Sequence, residues 1–127
     1  MPTLMDPAWT TDIERGPDWI FLRLHAPAKT AGDGANMADV VWHTMQQHSA
    51  KRVVLELNEL KLLHSRVIGQ LVTLHKRICA NGGTLRVCGL NDANQAAMHA
   101  TRLHDLLPCY RDRTEAVTGS QRPPQPR

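Results

Sequence analysis

Ser65 is the residue whose type and setting most invite chemistry. It follows a short turn after the strand pattern Arg-Val-Val-Leu-Glu-Leu-Asn at 52–58, and it opens an amphipathic segment at 65–81. A small hydroxyl at a helix start can do two things. It can accept a hydrogen bond from a free backbone N–H, typically worth ~1 kcal/mol. It can also carry a phosphate, which gains from the free N–H groups and the positive end of the helix. Phosphorylation adds roughly −1.5 to −2 charges near neutral pH, and such charge repels an acidic docking surface or must be desolvated on an apolar one. The residue types leave both roles open, and the cap is the simpler. Arg66 follows directly. A cation in the first helical turn opposes the helix dipole by roughly 0.3–1 kcal/mol. It is either a solvated arginine that tolerates this cost or a contact for an acidic partner or for a phosphate on Ser65.

Other chemistry-bearing residues are less organised. There are seven histidines, but His43 and His48 are five apart, as are His99 and His104. Neither pair has the i,i+4 spacing of a helical metal site, so surface or half-buried roles are expected, with no metal and no cofactor. Asp39, Glu56 and Glu59 do not pair into an acid/base site, and a solvated role is expected for each. No Cys–His or Ser–His–Asp set emerges from the spacing, and no phosphate-cradling glycine motif is present. Nothing in these patterns favours an enzyme. Cys79 and Cys88 are expected to pack in the core. Three scattered cysteines argue against a disulfide framework and for a reducing, cytoplasmic setting.

The elements that must position Ser65 can be read from pattern. The 127 residues suit one domain, and 42% hydrophobic content suits a real core. A formal charge of +3, carried partly by the tail, does not point to direct nucleic-acid binding. No apolar run reaches the ~20 residues needed to span a bilayer, and the N-terminus lacks the pattern of a secretion signal. Segments 10–15 and 19–25 flank Gly-Pro-Asp at 16–18 and predict a hairpin. In the second, Ile20, Leu22 and Leu24 alternate with Phe21, Arg23 and His25. The Pro- and Gly-rich stretch 26–34 predicts a loop, after which Asp33 or Asn36 caps a helix to about 48. Met37, Val40, Val41, Thr44, Met45 and His48 share its inner face, while Trp42 and Gln46 fall nearer the other side.

Val53, Val54, Leu55 and Leu57 predict a strand buried on both faces, interrupted by Glu56. In the helix after it, Val67, Ile68, Leu71, Val72, His75, Ile78 and Cys79 form the inward stripe. Lys76 and Arg77 should be solvated. Asn-Gly-Gly at 81–83 predicts a left-handed C-terminal stop. A strand at 84–90 and a helix at 93–101 come next, capped by Asn91 or Asp92, with Ala93, Ala96, Ala97 and Ala100 inward. Leu103, Leu106 and Leu107 then continue the core through a turn. A short strand at 109–111 and a helix from 114, capped by Asp112 or Thr114, close the domain. Strands alternating with helices imply a mainly parallel sheet. The expected architecture is α/β, a small mixed and mostly parallel sheet with an N-terminal hairpin, packed against about four helices. Residues 1–9 read as an extension, 10–117 as the domain and 118–127 as a disordered tail.

This ordered set resembles the STAS domain, the fold shared by anti-sigma factor antagonists and the cytoplasmic ends of sulfate transporters. The matching residues are Val-Val-Leu-Glu-Leu-Asn at 53–58, Leu-Leu-His-Ser-Arg-Val-Ile-Gly at 62–69, and the helix closed by Gly82 and Gly83. Leu-Arg-Val-Cys-Gly-Leu at 85–90, Leu-His-Asp-Leu-Leu at 103–107, Tyr110, and Glu115 with Ala116 complete it. The resemblance implies that Ser65 is the phosphorylated serine. The family pattern has aspartate where this chain has His64, a second serine where it has Arg66, and glycine where it has Val67, while Gly69 is retained. These departures turn an acidic rim basic. A kinase that reads the acidic form should recognise this one poorly, unless its own surface has changed too. The implied function is that of an anti-sigma factor antagonist, a non-enzymatic partner-switching regulator. It would bind an anti-sigma factor with serine kinase activity and be released by phosphorylation at Ser65. The implied contact surface is His64, Ser65, Arg66, Val67 and Ile68 with the nearby loop 26–34. The alternative is a constitutive adaptor in a larger signalling complex that is not phosphorylated.

Overall fold

The computed structural model describes residues 10–25, 37–63 and 65–118. Five strands form one sheet in the order of the chain: β1 (Thr10–Arg15), β2 (Ile20–His25), β3 (Arg52–Glu56), β4 (Thr84–Cys88) and β5 (Cys109–Tyr110). β1 and β2 are the expected antiparallel hairpin, in register from Thr10 opposite His25 to Arg15 opposite Ile20. β2 to β5 are parallel neighbours. The helices are α1 (Met37–Gln47), α2 (Ser65–Ala80), α3 (Asp92–Ala100), α4 (Leu103–Leu106) and α5 (Arg113–Thr118). α4 is a single turn where the sequence predicts only a turn. The expected caps Asp33 and Asn36, the loop 26–34, the extension 1–9 and the tail beyond 118 lie outside the described residues.

Chain-ordered parallel strands joined by right-handed crossovers place every crossover helix on one face of the sheet. The two hydrophobic clusters follow that rule. The larger holds Ile20, Leu22, Leu24, Val53, Leu55, Leu85 and Val87 from the strands. The helical residues Met37, Val41, Met45, Leu71, Leu74, Ile78, Met98 and Leu103 pack on it, with Leu107 just after α4. The smaller cluster lies on the opposite face: Phe21, Val54, Cys88, Tyr110 and Ala116. Among the described helices only the short α5 covers that side, and stacked guanidinium groups add to it. Arg52 and Arg86 lie 5.8 and 4.9 Å from the Trp19 ring centre, and Arg113 lies 4.4 Å from that of Phe21.

Several expected faces shift. On α2 the buried stripe is Val67, Leu71, Leu74 and Ile78. Leu74 replaces Cys79, which is exposed, because a seven-residue step keeps phase with Val67 and a twelve-residue step overshoots the stripe. Arg77 is not simply solvated. It pairs with Asp39 at 3.5 Å and stacks 5.4 Å over Trp42, tying α2 to α1. On α3 the alanines do not point inward: Asn94 and Met98 do. Leu106 is 42% exposed, while Leu103 and Leu107 are buried. The C-terminal stop of α2 is as expected, with Gly82 at φ +80° and Gly83 N–H donating to Ile78 O at 2.9 Å. A side chain at Gly83 would run into the Lys51 carbonyl.

Candidate functional site

The connection from β3 to α2 is built by two buried leucines with an exposed one between them. The ladder ends with Leu57 N–H donating to Cys88 O at 3.0 Å, and Leu60 N–H then turns back to Leu57 O at 3.1 Å. Leu60 and Leu63 are buried, whereas Leu62 is 55% exposed. Anchors at 60 and 63 pin the loop to the core and push Leu62 outward.

α2 then begins at Ser65. Ser65 and Arg66 are exposed, Ile68 is half-buried and Gly69 is exposed. Val67, grouped with them in the expected contact surface, is 2% exposed and packs in the core. It sets the angle of the first turn and offers no contact area. His64 lies outside the described residues. The first turn contains no acidic side chain. Its free N–H groups give this end of a 16-residue helix a partial positive charge.

Three side chains hold this region, of which the sequence pattern singled out Asn91 alone, as a cap. Gln70 Oε1 accepts the Ala38 N–H at 2.8 Å, which ties the start of α1 to the second turn of α2. Asn94 Oδ1 accepts the Leu63 N–H at 2.8 Å, and Asn94 Nδ2 donates to Leu60 O at 3.0 Å. Asn91 Oδ1 caps α3 by accepting the Asn94 N–H at 2.7 Å, as expected of a cap, while its Nδ2 reaches beyond that role and donates to Lys61 O at 3.2 Å. The one available signal for Asn94 was its place four residues before Met98, in phase with the buried side of α3.

Elsewhere the titratable groups are already committed. Glu56 is 3% exposed, not solvated as its type suggests. Its Oε1 accepts from Arg23 Nε and Nη2 at 3.3 and 3.2 Å, and its Oε2 accepts from Arg113 Nε at 2.6 Å. Arg113 also pairs with Glu14 at 2.9 Å, and these bonds, the Glu56 one first, raise its pKa. Both carboxylate oxygens are taken up by guanidiniums, so the cluster is a structural tie. Burial, reinforced by the negative charge of Glu56, pushes the Cys88 thiol up to about 12, and burial raises Cys109 to about 11. Neither is a ready nucleophile. The His99 and His104 rings lie 4.0 Å apart. Among the described residues no group of three or more His, Cys, Asp or Glu side chains is placed to hold a metal ion. Nor is any helix among them long and apolar enough to cross a membrane.

No curated protein sequence matches the chain. Solved structures with the same fold include a candidate anti-sigma factor antagonist of Thermotoga maritima, at TM-score 0.72 and 17% identity over 88% of this chain and 95% of that one. An anti-sigma factor antagonist from Mycobacterium paratuberculosis aligns at TM-score 0.71 and 17% identity over 89% and 94%. The anti-sigma factor antagonist SpoIIAA in its unphosphorylated form aligns at TM-score 0.63 and 10% identity over 89% and 100%. The family model for the STAS domain matches residues 14–116, from the hairpin to the buried Ala116. With that match across the hairpin, the parallel sheet and the one-sided helices, the chain belongs to the STAS domain family.

Proposed function

We propose that this protein is an anti-sigma factor antagonist of a partner-switching pathway, non-enzymatic itself, that docks on an anti-sigma factor with serine kinase activity. Contact runs through the start of α2, with Ser65, Arg66 and Ile68 at its centre and His64 beside them. Phosphorylation of Ser65 ends the contact. The observation that carries this reading is an exposed serine as the first residue of α2, after the loop that leaves a strand buried on both faces. A phosphate there gains from the free N–H groups of the first turn. It also places roughly two negative charges in the middle of the contact surface. A loss of only ~1.4 kcal/mol weakens binding tenfold, so a modest mismatch suffices for a switch. The basic rim at Arg66 suits a partner with an acidic matching surface.

The test is capture of the partner from the native cell on immobilised Ser65→Ala and Ser65→Asp proteins. The alanine variant should retain the same anti-sigma factor as the wild type, and the aspartate variant should lose at least tenfold of it. Equal retention by both would contradict the switch and leave a constitutive adaptor.

A further inference from the structure

We infer that Asn94 is the positioning residue of the Ser65 surface: its side chain, inside the core, holds the β3–α2 loop in the shape that turns Leu62 and Ser65 outward. The inference rests on the proposed reading of Ser65 for its function, and on geometry alone for the clamp. Between the last ladder bond at Leu57 and the start of α2, the loop has one internal turn bond among the described residues, from Leu60 N–H. Its bonds to side chains among the described residues come from α3 and the cap before it. Asn94 is 0% exposed and uses both ends of its amide on the loop, 31 and 34 residues away in sequence. Asn91 adds an outer bond to Lys61 O and fixes the first turn of α3 from which Asn94 projects.

A buried amide is an expensive choice unless its polar atoms are paired. Here both ends are paired, and the bonds fall on two backbone groups, the Leu60 C=O and the Leu63 N–H, that no helix or strand among the described residues satisfies. An apolar residue would fill the same volume next to Met98, but it would leave both groups unpaired under the leucines. The loop could then regain hydrogen bonds only by lifting toward water. Lifting moves Leu63 off the core and Ser65 with it. Asn94 therefore acts through the loop rather than by touching a partner. The same clamp makes the start of α3 part of one rigid surface with the start of α2, with the exposed Leu62 between them as an apolar anchor.

The experiment compares wild type with Asn94→Leu, which keeps the packing volume and removes both loop bonds. Asn91→Asp serves as a milder variant, since it keeps the capping oxygen and removes only the donor to Lys61. Amide hydrogen exchange is read at Leu63 and at the core strand positions Leu55 and Val87, and affinity is read against the protein captured by Ser65→Ala. Losing such bonds should speed Leu63 exchange on the order of tenfold in Asn94→Leu, and less in Asn91→Asp, with the strand amides unchanged. Affinity should fall on the order of tenfold in parallel. Unchanged Leu63 exchange, or acceleration by one factor throughout the chain, would overturn the clamp. A freed loop with wild-type affinity would overturn the positioning role. Should Asn94→Leu fail to fold, the same measurements on Asn94→Ala, which also removes both loop bonds, decide both points in the same way. The exchange measurement needs no partner, so it distinguishes failure of the clamp from failure of the Ser65 switch.

Discussion

At the scale of single residues, the proposed contact surface and the core are separated by one helical position. Ser65 and Arg66 face outward and Val67 faces in, so within the expected contact surface at 64–68 Val67 is an anchor and not exposed area. The serine was legible because a small hydroxyl between an apolar strand and an amphipathic helix is a local signal. The inward turn of Val67 was legible too, as the first member of the stripe that continues through Leu71. The spacing also placed His75 on that stripe, but could not show how its ring nitrogens are partnered. Its Nδ1 is buried without a partner among the described residues, and burial lowers its pKa from 6.5. The unfolded chain, whose ring takes a proton at the ordinary value, thus binds more protons as pH falls through about 6.5. Stability contributed by neutral His75 is full above that pH and is lost as pH falls toward the lowered folded value. Urea midpoints should drop between about pH 7 and about pH 5, and His75→Leu should flatten that part of the curve. An unchanged slope in the variant would contradict a buried neutral ring.

At the scale of elements, periodicity predicted strands and helices well and predicted their faces less well. The alternation of Ile20, Leu22 and Leu24 and the run at 53–57 fixed the strands, because a period of two needs no knowledge of neighbours. The alanines of α3 misled because small size reads as burial, while Asn94 is the residue its surroundings draw inward. Glu56 misled for a related reason. Its partners Arg23 and Arg113 stand 33 and 57 residues away, beyond any local pattern. These two arginines and Glu14 join β1, β2, β3 and α5 around one carboxylate. Glu56→Gln keeps the shape and removes the charge. It should destabilise the fold by about 2 kcal/mol, within the ~1.5–3 kcal/mol of hydrogen bonds to charged groups. The loss should appear as a lower denaturant midpoint at unchanged slope. A change below about 0.5 kcal/mol would mean the arginines re-pair with solvent at no cost.

At the scale of the molecule, the order of strands decides where function can sit. Sequential parallel strands load α1 to α4 onto one face, and the parallel strands put the β3–α2 and β4–α3 connections at the same end of the sheet. That common end carries the β3–α2 loop and the start of α3, joined by the bonds of Asn91 and Asn94 to Leu60, Lys61 and Leu63. The opposite face carries Phe21, Val54 and Tyr110 under α5 and a layer of arginines, and serves stability. The central claim is that the hydroxyl presented at the first end receives a phosphate. Incubating the protein with ATP and the kinase captured by Ser65→Ala, then locating phosphate by mass spectrometry, tests it most directly. One phosphate on Ser65, absent from the Ser65→Ala protein, is the predicted result; an unmodified chain, or phosphate on another residue, would contradict it.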